Sequence, residues 1–130
     1  MSRVRRLSMR RERHEGYSLW IGAPAPPGAA AMTLGRNILI RPHAVGDERL
    51  LRHELVHVRQ FRELGTAGFF ARYLSAYFRN RFNGFGHWDA YLRIPLEVEA
   101  EWIAQRTMLA QSARSARGGR SAERPAERPI

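Results

Sequence analysis

The sequence predicts an α+β domain. Strand-like runs fall in the first third of the chain, and helical periodicity takes over after Asp47. Hydrophobic residues make up 44% of the 130, which is ordinary for one small globular domain with a core of its own.

Tyr17-Ser-Leu-Trp-Ile21 alternates enough to form a short strand. Residues 23–31 are Pro, Gly and Ala, and so read as a loop. Met32-Thr-Leu34 and Asn37-Ile-Leu-Ile-Arg41 read as two strand pieces. Gly35-Arg36 between them suits a hairpin turn or a bulge, and Pro42 ends the second piece.

Asp47 suits the N-cap of a helix running to about Leu64, which Gly65 then ends. On its wheel Leu50, Leu51, Leu55, Val58, Phe61 and Leu64 form one apolar arc, with Arg49, Arg59 and Glu63 opposite. Phe69, Phe70, Tyr73, Leu74, Tyr77 and Phe78 recur at helical spacing and predict a connecting amphipathic helix over residues 66–81, its aromatic stripe read as core packing. Trp20, Trp88 and Trp102 are likewise read as packing residues. A loop at 83–86 precedes a short helical turn over 87–93. Pro95 suits the first position of a last helix, running to about Ala110. Glu97, Ala100, Glu101, Ala104 and Met108 share one face of it. The alanines allow another helix to approach closely, and carboxylates on such a face are costly unless paired or metal-bound. Glu99 points toward solvent.

Charge narrows the functional classes. The net charge is +10 and every basic residue is arginine. Residues 1–15 hold six Arg and two Glu, and residues 112–130 hold five Arg and two Glu, so +7 of the charge lies in these segments. Both are poor in large apolar residues and are expected to be disordered tails flanking a domain at 16–111. Such tails can touch phosphates weakly, but a dedicated nucleic-acid role is not expected. The N-terminus lacks the apolar region of a secretory signal, and no apolar run is long enough to span a bilayer, so a cytoplasmic protein is expected. Without cysteine, disulfides and thiolate metal sites are excluded, and any zinc site must use His and carboxylate.

The chemistry concentrates in His53-Glu54-Leu55-Val56-His57. Histidines four apart lie about 40° from each other around a helix, so two imidazoles can share one tetrahedral zinc. Glu97 on the last helix would add an oxygen and water the fourth position, a His₂Glu set for one Zn²⁺ per chain. Glu54 is placed to act as general base on that water. Glu101, one turn after Glu97, can accept a hydrogen bond from the outer nitrogen of one histidine and fix its tautomer. An oxyanion donor is also needed. Tyr91 is the candidate, with His87 and Tyr77 as rivals, although His87, like His43, reads as an ordinary loop histidine. Asn37 to Arg41 is the expected sheet edge for an extended peptide to join.

Leu51-Arg-His-Glu-Leu-Val-His-Val-Arg-Gln60, followed by Ile94-Pro-Leu-Glu-Val-Glu-Ala-Glu101, resembles the gluzincin metallopeptidases, above all the minigluzincins. It also resembles the zincin-like domain found with extracellular contractile injection systems, in which H-E-L-x-H-x-x-Q precedes P-x-E-x-x-A-D. The resemblance covers roughly residues 31–105. It implies a minimal zincin-like fold, a short antiparallel sheet packed on an HExxH helix and a glutamate-bearing helix. It implies His53, His57 and Glu97 as zinc ligands and Glu54 as base. Ala100 matches the family alanine, Glu101 stands where the family usually has Asp, and Gln60 matches a glutamine to which the sequence assigns no role. The function so implied is peptide-bond hydrolysis. The alternative is a non-catalytic, zinc-stabilised domain that acts as a protein-interaction module. A chain this small leaves little for a deep specificity pocket, so a partner protein presenting the peptide or protein substrate is expected.

Overall fold

The computed structural model describes residues 9–121. Strands β1 (Arg10–His14), β2 (Tyr17–Ile21), β3 (Ala31–Leu34) and β4 (Asn37–Ile40) are followed by a 3-10 turn at Pro42–Ala44 and helices α1 (Glu48–Phe82), α2 (His87–Leu92) and α3 (Pro95–Ser121). The α+β class is as expected from the sequence.

The sheet has the order β1-β2-β4-β3. It is mixed, which corrects the expectation of an antiparallel sheet: β1–β2 and β3–β4 are antiparallel, but β2 and β4 run parallel. The β3–β4 hairpin forms as predicted, with Leu34 opposite Asn37 and Gly35 (φ 62°) at the first central position of a two-residue turn. Its second strand, not its first, lies against β2. Residues 22–30 give enough chain to pass one strand position, about 10 Å, and deliver β3 to the far edge. Burial explains the choice. Ile38 and Ile40 are almost fully enclosed, so β4 belongs between two neighbours. The edges of the sheet are therefore β1 and β3, and Asn37–Arg41 is not one of them.

Leu19, Ile21, Ile38, Ile40, Ala44 and Val58 form the core between sheet and α1, with Leu50, Leu51 and Leu55 packed against it. The Asp47 carboxylate caps α1 by accepting from Leu50 N–H at 3.0 Å. Gly65 (φ 71°, ψ 164°) breaks the helical conformation, yet the chain re-enters a helix at once, so α1 is two arms joined at a bend. α3 lies against α1 through Ala100 and Ala104, both fully buried.

The expected tails are shorter where the structure describes them. Residues 10–14 form β1, whose polar side chains carry no apolar alternation. Its backbone pairs with β2, Arg11 donates to Ser18 Oγ and stacks over Trp20, and the His14 ring stacks on Tyr17. α3 continues to Ser121 instead of ending near Ala110; Gln111, Ala113, Arg114, Ala116 and Arg117 are good helix formers. Residues 1–8 and 122–130 of the expected tails lie outside the described residues. The tryptophans are less buried than expected: Trp88 and Trp102 are exposed, the latter under Arg106.

Candidate metal centre

The first arm of α1 and the first turns of α3 bring His53, His57 and Glu97 together. Glu97 Oε2 lies 2.9 Å from His53 Nε2, Glu97 Oε1 lies 3.2 Å from His57 Nε2, and the two Nε2 atoms are 3.2 Å apart. These three residues can hold a metal ion, each offering one ligand atom within 4.8 Å of the others. The fit is quantitative. Metal–ligand bonds of about 2.0–2.1 Å in tetrahedral geometry require ligand atoms roughly 3.3 Å apart. His57 and Glu97 are buried, and His53 keeps one side toward the cleft.

The outer ring nitrogens are also occupied. His53 Nδ1 donates to Glu101 Oε2 at 3.0 Å, as expected from the sequence; the other Glu101 oxygen is paired with Arg49 and accepts from Gln105 Nε2 at 3.1 Å. His57 Nδ1 donates to Gln60 Oε1 at 2.8 Å. Gln60 Nε2 donates to the Leu96 carbonyl at 3.0 Å, which fixes the amide with its oxygen toward His57. Both imidazoles therefore carry hydrogen on Nδ1 and turn Nε2 inward, the orientation a metal site requires. Gln60 thereby gains a role: it orients His57 and ties α1 to the start of α3.

Glu54 is 5% exposed. Its Oε2 accepts from Thr33 Oγ1 on β3 at 2.6 Å, and Thr33 also donates to the Glu54 backbone carbonyl at 3.3 Å. The edge strand thus holds the carboxylate that the sequence assigns as base. Among the oxyanion candidates, Tyr77 bonds His87 Nδ1 at 2.8 Å, while His87 and Tyr91 line the cleft. Tyr91 lies near enough to Glu97 for the carboxylate's charge to act on its hydroxyl. The structure adds Tyr73, read from sequence as packing, whose hydroxyl donates to Glu97 Oε1 at 2.8 Å.

Charge is balanced within this cluster. Burial works to raise the Glu97 pKa, but hydrogen bonds from His53 and His57 and their positive charge hold its carboxyl far below the usual range. Burial works to lower the His57 pKa, yet the Glu97 bond and charge, the Glu54 charge and the Gln60 bond together raise it above 6.5. Burial first, then the charge of Glu97, pushes the Tyr73 and Tyr91 hydroxyls well above the ordinary phenol range.

The centre opens into a cleft of about 560 Å³, walled on one side by β3 and residues 26–30 and on the other by Phe69, Phe70, Trp88 and Tyr91. A cleft of this size beside β3 is larger than the small chain led us to expect.

The model of one protein family, the eCIS core domain, matches residues 23–65. The match spans β3, β4 and the first arm of α1, including His53, Glu54 and His57, and ends before Glu97. It agrees with the resemblance to the domain of contractile injection systems drawn from the motifs. No curated protein matches the chain, and no solved structure does.

Three contributors escaped sequence reasoning. Thr33 had no signal, since a strand threonine is commonplace. Tyr73 was hidden in an aromatic stripe. Gln60 did have one, its position three residues after His57 on the same helix face.

Proposed function

We propose that this protein is a zinc-dependent peptidase of the gluzincin type, with His53, His57 and Glu97 as ligands and Glu54 as general base. The observation that carries the reading is a His₂Glu cluster at ligand spacing with a buried carboxylate, Glu54, held beside the same cleft by Thr33. A site that only stabilises the fold needs no such base.

Zinc held by these residues supplies a Lewis acid for a carbonyl oxygen and lowers the pKa of water in its open position. The chain's own groups account for the remainder. Glu54 accepts a proton from the attacking water and carries it to the leaving amine. Thr33 keeps one of its oxygens in place, leaving the other for that proton. Tyr91 is the donor for the developing oxyanion, and Tyr73 holds Glu97 from behind. β3 has a free edge along the cleft, so an extended peptide substrate can pair with it there.

The test combines metal analysis with digestion of a mixed peptide library. Wild type should contain one zinc per chain and cleave; His53→Ala should lose both zinc and cleavage. Glu54→Gln should keep zinc and lose cleavage by about 10²–10⁴-fold. Wild type that binds zinc but is as inert as Glu54→Gln would instead favour the zinc-stabilised interaction module.

A further inference from the structure

The second arm of α1 presents a face that neither the core nor the cleft uses up. Leu74, Phe78 and Phe82 recur every four residues beyond Phe70, which walls the cleft, and are 46, 54 and 90% exposed. Each step of four turns about 40° around the helix, so the three side chains spread over an arc of about 80° and a length of about 12 Å. Phe69 is buried and Tyr73 turns to Glu97, so the inward side of this arm is satisfied without them.

Charge on this arm is one-sided. There is no Asp or Glu between Glu63 and Asp89, while Arg72, Arg79 and Arg81 fall in that interval. On the first arm Arg49 pairs with Glu101, and Arg59 with Glu63 and Glu99. Among the described residues no ion pair involves Arg72, Arg79 or Arg81. Arg72 and Arg79 lie beside the apolar arc, and Arg81, near its end, donates to the Phe85 carbonyl.

We propose that this arm is a docking surface for an anionic lipid bilayer. The helix lies in the plane of the interface, its phenyl and leucyl groups enter the acyl boundary, and the arginines meet headgroup phosphates. The arginines favour lipid. On the helix wheel Arg81 falls on one side of Leu74, Phe78 and Phe82, and Arg79 and Arg72 fall on the other, as an interfacial helix requires, and this arm has no carboxylate to repel headgroup phosphates. Among the described residues no helix is long and apolar enough to cross a membrane, so the contact is peripheral. The proposal does not depend on peptidase activity.

Full-length protein, zinc-loaded, is sedimented with vesicles of phosphatidylcholine alone and of phosphatidylcholine mixed with phosphatidylglycerol. Binding to the mixed vesicles, and little to the neutral ones, is expected. A Phe78→Ser/Phe82→Ser double variant leaves every charge in place and should bind about tenfold more weakly or worse, with its zinc content unchanged. A Phe82→Trp variant, with the wild-type emission subtracted, should show a blue shift on adding mixed vesicles. Double-variant binding equal to wild type would overturn the proposal and assign attachment to the arginine-rich terminal segments. So would an unshifted difference emission from the Phe82→Trp variant. Absence of binding to mixed vesicles would overturn it too, and would leave an acidic protein groove as the occupant.

Discussion

Gln60 offers the sharpest quantitative test of the centre. It is 2% exposed and serves two buried groups at once, accepting from His57 Nδ1 and donating to the Leu96 carbonyl. Gln60→Leu keeps the volume and removes both bonds. The buried His57 Nδ1–H left without a partner costs about 1–3 kcal/mol, the Leu96 carbonyl keeps its bond within α3 and loses only the second one, worth about 0.5–1.5 kcal/mol, and the leucine methyls recover a fraction through apolar burial. A net loss of about 1–3 kcal/mol is expected, a large share of the roughly 5–15 kcal/mol that holds a small domain folded. The imidazole of His57 is then free to rotate or to exchange tautomers, which should weaken zinc binding by about 10–100-fold. Urea denaturation in chelator isolates the first effect, and zinc titration calorimetry at a temperature where both proteins are folded isolates the second. If Gln60→Leu bound zinc as tightly as wild type, orientation of His57 by Gln60 would be refuted, whatever the loss in stability.

Thr33→Val should retain zinc yet lower stability by about 1–2 kcal/mol, because the Glu54 carboxylate loses its 2.6 Å partner; any peptidase activity should fall with it, and an unchanged turnover would separate β3 from the base. Stability in chelator should depend on pH from both sides. The raised His57 contributes fully below pH 6.5 and less as pH climbs through its folded-state value, while the lowered Glu97 contributes fully above pH 4.5 and less as pH falls through its own, so the cluster stabilises the metal-free fold most between these pH values. The increase in Tm on adding zinc should grow as pH rises above 6.5, since the cation must displace the proton on His57, and melts with and without chelator across pH check both statements. Gly65→Ala meets no atom within 4 Å, so its cost should be backbone strain alone, about 1–3 kcal/mol by denaturant melts, and an unchanged stability would show that the bend does not need glycine.

Much of the centre was legible because its spacing follows from helix geometry. His53 and His57 had to share a face, and Glu97 and Glu101 had to lie where the alanines let α3 approach. The N-cap at Asp47 and the break at Gly65 were legible for the same local reason. What escaped depends on contacts between distant segments. β1 is polar on both faces and is defined by its pairing with β2, which periodicity does not reveal. The insertion of β4 between β2 and β3 is decided by burial of Ile38 and Ile40, and a hairpin signal is silent about which of its strands faces outward. The aromatic spacing over residues 69–82 showed a helix but not that Phe78 and Phe82 would face solvent while Tyr73 reached a carboxylate.

The bend at Gly65 has a mechanical consequence. One arm of α1 carries His53 and His57, and the other carries Tyr73, which grips the oxygen of Glu97 nearest His57. The polypeptide thus meets the centre twice, once on each side of a joint. The joint at Gly65 therefore fixes where the Tyr73 hydroxyl meets Glu97, and a single glycine stands between the arm that carries two candidate ligands and the arm that steadies the third.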